Sequence, residues 1–167
     1  MFKVGDYVVK ASNGVCKIID ILSPDFVADD KKLYYQLVPL TNENTRLYVP
    51  VEKAEEDMRE VMTKEEAVDL LEQIPSIEEV WINNEKERER SYKESIHSNK
   101  PEKIVGIIKN IYRRKKDRQE HGKKSTAIDG KYFELAENLL YSELEIAMKM
   151  DREVIYDMIM CSCGESV

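Results

Sequence analysis

The chain has 167 residues, 42% of them hydrophobic and 35% charged, with a net charge of −7. That composition carries enough apolar material for one folded domain or two small ones, and it excludes wholesale disorder. No apolar run reaches membrane-spanning length and no charged-then-apolar leader opens the chain, so a soluble, cytoplasmic protein is expected.

The first third reads as β structure. "DYVVKA", "VCKIIDIL", "LYYQLVPL", "RLYVPV" and "MREVMT" are short runs rich in Val, Ile, Leu and Tyr, separated by turn signals. Asn13 and Gly14 form an Asn-Gly turn after the first run, where positive φ angles are readily adopted. Five such strands in succession predict a small, curved sheet or barrel. In "TRLYVPV" the alternation puts Leu47, Val49 and Val51 on one face and Arg46 and Tyr48 on the other. Pro50 removes a backbone donor, which makes this an edge strand, and an edge is open to a partner that adds a strand.

From Thr63 the apolar period becomes helical, so the chain is expected to divide into a β module over residues 1–61 and a helical module over 62–167. The fold class is α+β. Thr63 with Glu66 and Ser76 with Glu79 have capping-box spacing, each opening a helix. The second of these helices begins with Ile77, Val80 and Trp81. On it Trp81 shares an arc with Asn84, Arg88, Tyr92 and Ile96. A third helix is predicted from about Lys100 to Arg118 behind an Asn99 cap, with Ile104, Val105, Ile107, Ile108, Ile111 and Tyr112 as its apolar stripe. "KYFELAENLLYSELEIAMKM" is apolar over a wide arc and is expected at the centre of a bundle. A last helix follows Asp151, striped by Val154, Ile155, Met158 and Ile159.

The sequence holds no P-loop, no GxSxG and no HExxH, so an enzyme is not expected. Cys16, Cys161 and Cys163, with His97 and His121, lack the paired spacing of a structural zinc site. Reduced thiols and no cofactor are expected. Charge is more informative. Residues 88–124 hold 13 Lys and Arg against 5 Asp and Glu, a local excess of +8, while the rest of the chain carries 13 against 28. Lys103, Lys109, Arg113, Arg114, Lys115, Lys116 and Arg118 are placed outside the third helix and at its end. Lys123 and Lys124 continue them into a loop, Lys131 follows, and Arg88, Arg90 and Lys93 precede them. Such a block suits phosphate contact, without base-specific reading; the alternative is a solvated helix end that complements the macrodipole. Trp81 likewise has two readings, a packing residue at the helix edge or a stacking wedge against nucleic acid.

"FKVGDYVVKASNGVCKI", "LYVPVEKAEEDMREVMT", "RSYKE", "IIKNIYRRKKDR" and "YFELAENLLYSELEIA", in this order across the chain, resemble the CarD-like family of bacterial transcription regulators. The resemblance implies a Tudor-like β domain that docks on the RNA polymerase beta subunit. It implies, too, a helical domain that touches promoter DNA at the upstream edge of the bubble and stabilises the open complex, without enzymatic activity. The opening stretch also resembles the polymerase-binding module of transcription-repair coupling factors. The family's polymerase-contacting strand corresponds to Arg46, Leu47 and Tyr48, with Tyr48 in the slot of the contacting arginine. The family's wedge tryptophan stands two residues before Arg-Arg-Tyr. In "RERSYK" Arg90, Tyr92 and Lys93 fit that pattern, Arg88 fills the tryptophan's slot, and Trp81 lies seven residues upstream, about 10 Å along a helix axis. A monomer is expected, bound to polymerase and, largely regardless of sequence, to promoter DNA. The other reading is an adaptor whose basic face binds an acidic protein or RNA.

Overall fold

A computed structural model describes residues 1–26, 28 and 31–162, so Cys163 lies outside the described residues. The chain forms two compact units, Met1–Val61 and Met62–Val167. The class is α+β, an antiparallel sheet followed by helices.

In the first unit β1 (Tyr7–Lys10), β2 (Gly14–Leu22), β3 (Tyr34–Pro39), β4 (Leu47–Pro50) and β5 (Arg59–Glu60) make one sheet in the order β4-β3-β2-β1-β5. The β1–β2 connection is a 3₁₀ turn over Ala11–Asn13, one residue longer than an Asn-Gly hairpin, and its positive φ angles fall on Ala11 (26°) and Gly14 (69°). The β2–β3 register shifts between Ile18 and Asp20, a bulge that leaves Ile19 exposed and bends the strand. Val8, Cys16, Ile18, Tyr35, Leu37 and Val49 fill the inner face, and Ala54 and Met58 from α1 (Ala54–Asp57) and its end close it. Burial pushes the Cys16 thiol up to about 11, so it is a packing group and not a nucleophile. β4 pairs with β3 alone and is an edge of the sheet.

The second unit comprises α2 (Lys64–Gln73), α3 (Glu85–His97), α4 (Pro101–Glu120), α5 (Ala127–Met148) and α6 (Arg152–Ser162). Thr63 and Glu66 close a reciprocal capping box on α2. The backbone N–H of Met62 donates to the buried Glu143 carboxylate at 3.0 Å, which ties the start of this unit to α5. α5 packs against α2, α3, α4 and α6, the central place its wide apolar arc demands. It starts earlier than its apolar pattern indicates, because Thr126 caps it by accepting from the Asp129 N–H at 3.2 Å.

Two helix starts differ from the sequence expectation. Asn99 does not cap α4. It sits at φ 55°, Lys100 is the N-cap and Pro101 takes the first helical position, where its fixed φ suits the turn. Ser76 does not open a helix either. It ends a 3₁₀ turn (Ile74–Ser76), its hydroxyl donates back to Gln73 at 2.8 Å, and residues 77–83 run without regular structure until Asn84 caps α3 by accepting from the Glu87 N–H. Trp81 therefore lies on a strap and not on a helix.

Candidate functional site

A strap of irregular backbone must find partners for its carbonyl groups outside itself. Here α3 and α4 supply them. The Lys109 ammonium donates to the carbonyls of Ile74 (2.9 Å) and Ile77 (2.6 Å), and the Asn110 amide donates to that of Val80. Arg88 reaches back from α3 to the carbonyls of Ile82 and Asn83, at 3.3 Å each. Arg113 pairs with Glu79 at 2.8 Å. Side-chain donors replace the missing helical ladder, which explains why a capping-box spacing at Ser76 does not suffice to make a helix.

Beneath the strap sits a buried ionic cluster. Asp129, on the first turn of α5, accepts from Arg88 Nε at 3.0 Å through one oxygen and from Arg114 Nε at 3.1 Å through the other. Tyr92 adds its hydroxyl at 3.0 Å. Asp129 and Arg88 are 2% exposed and Arg114 is 8% exposed. Burial alone would raise the Asp129 pKa, but the hydrogen bonds and charges of Arg114 and Arg88 outweigh it and hold the carboxyl below its ordinary value. The same burial, with the Asp129 charge second, drives the Tyr92 phenol well above its usual value, so it stays a donor.

Arg114 has a second role, its guanidinium lying over the Trp81 ring at 5.3 Å from the centroid. The indole N–H donates to Asn83 Oδ1 at 2.9 Å, within the strap. Trp81 remains 45% exposed and the adjacent Val80 71%. The ring is held from below and open above, and is not a core residue.

The cations predicted as one set thus divide. Arg88 and Arg114 are corrected from surface groups to interior ones, because Asp129 draws both guanidiniums inward; Lys109 is a clasp on the strap. Lys115, Lys116, Lys123 and Lys124 are exposed, and none enters a salt bridge among the described residues. Lys115 and Lys116 lie near the carboxyl end of α4, and Lys123 and Lys124 in the loop that follows it. Gly122 at φ 67° ends that helix, with the Lys123 N–H returning to the Arg118 carbonyl and the Gly122 N–H to that of Gln119. Arg118 Nε donates to the Lys124 carbonyl at 2.6 Å and fixes the loop that presents both lysines. Arg90 and Lys93 are exposed on α3, in loose pairs with Glu94 (3.9 Å) and Glu89 (3.4 Å). Lys131 is exposed with its ammonium over the Tyr132 ring.

In the β unit, Arg46 is exposed just before β4, and its guanidinium folds back on the carbonyls of Glu43 (2.6 Å) and Thr45 (3.1 Å). Tyr48 is opposite Gln36, which donates to its hydroxyl at 2.8 Å. Phe26, 69% exposed, meets the Tyr48 ring edge-on with centroids 5.0 Å apart. Leu47 packs against the core. The strand's outer face is thus aromatic at Tyr48.

An edge-exposing sheet joined to a bundle that presents an aromatic and a cationic helix end is the build of a two-part interaction protein. Residues 2–62 match the CarD-like/TRCF RID domain, and residues 66–160 match the CarD C-terminal domain. The chain belongs to the CarD-like family, whose members are RNA polymerase-interacting, transcription-related proteins of non-enzymatic kind. Among curated proteins no match was found.

Proposed function

We propose that this protein binds the RNA polymerase beta subunit through the β4 edge and promoter DNA through the helical unit, stabilising the open promoter complex in the cytoplasm. The observation that carries the DNA half is Trp81, an exposed ring on a pinned strap with the Arg114 guanidinium against it. A ring so placed is suited to wedge between or stack on bases in a minor groove, and the exposed Lys115, Lys116, Lys123 and Lys124 to neutralise phosphates. Arg113, Arg118, Arg90, Lys93 and Lys131 form the outer ring of charge. Arg88 and Arg114 act from inside, through the strap.

The β unit supplies tethering. Polymerase bound at β4 raises the local concentration of the helical unit at DNA, so weak and sequence-independent binding suffices. Arg46 and Tyr48 are the outward groups of that edge, and Leu47 anchors the strand. The test is a promoter-opening assay with polymerase beside a DNA shift assay without it. Open-complex lifetime should rise with the protein, and its DNA binding should be strong only when polymerase is present. Equal binding with and without polymerase would favour an adaptor for another acidic partner.

A further inference from the structure

We propose that Asp129 is a positioning residue for Trp81: by holding Arg114 as a platform beneath the ring and Arg88 as a clasp on the strap, it fixes the aromatic before any DNA arrives. This rests on the reading of Trp81 as a DNA-facing group, but the positioning itself is a property of the free protein.

Three observations converge on it. Asp129 divides its two oxygens between two guanidiniums, so one carboxylate orients both. Each arginine then has donors or a face left over, and both are directed at the same strap. Arg88 reaches the carbonyls of Ile82 and Asn83, the residue whose side chain takes the indole N–H, and Arg114 lies against the indole. Tyr92 bridges Asp129 to Asn110, and Asn110 in turn grips the Val80 carbonyl, so the residues on either side of Trp81 are held from the same centre. A bare ion pair would stabilise the bundle as well with Arg88 and Arg114 turned elsewhere. Their shared orientation toward residues 80–83 is what a positioning role requires, since a pre-ordered ring loses less freedom on binding than a mobile one.

Trp81 is the only tryptophan in the chain, so its fluorescence reports on the strap directly. Asp129→Asn keeps the shape of the side chain and removes the charge that aligns both arginines. Arg114→Lys keeps a cation against Asp129 and removes the planar platform alone. In folded Asp129→Asn, the steady-state anisotropy of Trp81 should fall and acrylamide quenching should rise about twofold as the ring gains fast side-chain motion. Amide hydrogens of residues 77–83 should exchange faster as well. In Arg114→Lys the fluorescence should change in the same way while strap exchange stays near wild type, because the Arg88 clasp remains. Wild-type anisotropy and quenching in Arg114→Lys would overturn the proposal, whether or not Asp129→Asn folds. If the variants loosen Trp81 but hold promoter DNA as tightly as wild type, the positioning stands and the DNA role of Trp81 falls.

Discussion

The Arg114 guanidinium lies 5.3 Å from the centre of the Trp81 ring while its Nε donates to Asp129. One buried side chain thus connects an exposed aromatic to the interior charge of the bundle. This arrangement sets an intermediate energy for the ring. Replacing Trp81 with Ala should cost about 1–2 kcal/mol of stability, below the roughly 3–5 kcal/mol of a fully buried aromatic, since the change removes only part of a buried ring surface and one cation–π interaction. Open-complex stabilisation should fall far more than stability does. Thermal melts run beside promoter-opening kinetics read both; a loss of several kcal/mol would make Trp81 a packing residue.

Asp129 predicts an acid response. Its folded pKa is lowered relative to the unfolded carboxyl, so the folded state binds fewer protons around the unfolded value. The stability it contributes is complete above an unfolded pKa of about 3.9 and is lost as pH falls through the folded value. Asp129→Ala should cost about 3–5 kcal/mol near neutrality, because two buried guanidiniums lose their counter-charge. Replacing all three of Asp129, Arg88 and Arg114 with apolar residues should be much milder. Urea melts at neutral pH and below about pH 4 distinguish the cases, and an equal loss in single and triple variants would contradict the cluster's charge balance.

Most of the architecture was legible because apolar periodicity decides it. The five strands and the central place of α5 follow from which positions are apolar, and the edge position of β4 from the backbone donor that Pro50 lacks. The strap and the cluster were hidden because they depend on three charges that continue apolar stripes. Arg88 leads Tyr92 and Ile96 at spacings of four, Arg114 follows Ile107 and Ile111, and Asp129 precedes Tyr132 and Ala136. Two cations and one anion on buried faces of three helices are a signal of mutual burial. Counting them as surface charge overstated the basic block and obscured Asp129. The strap was missed for a related reason, since local capping spacing carries no information about donors arriving from α3 and α4.

At the β4 edge, Arg46→Glu with Tyr48→Ala should abolish polymerase binding and leave the β unit folded. The substitutions remove hydrogen bonds at or near the surface, to the turn carbonyls of Glu43 and Thr45 and from Gln36, a total of about 1–3 kcal/mol. Because the Arg46 guanidinium is already committed to its own turn, Tyr48→Ala should carry most of the binding loss. A pull-down with the beta subunit measures it, and undiminished capture of the folded double variant would exclude this surface.

The division of the cations makes the salt dependence of DNA binding a sharp measurement. Lys115, Lys116, Lys123 and Lys124 are exposed and outside any salt bridge among the described residues, whereas Arg113 is held by Glu79 and Arg114 by Asp129. Changing these four lysines to Gln removes up to four phosphate partners without touching the strap. The slope of log affinity against log salt should flatten by roughly 0.9 for each phosphate no longer neutralised. The cost in stability should stay within a few tenths of a kcal/mol for each charge that complements the α4 carboxyl end. Arg113→Gln alone should flatten the slope less than any one lysine, since its charge is already partly neutralised by Glu79. A quadruple variant whose slope equals that of wild type would show that the end of α4 meets solvent and not phosphate.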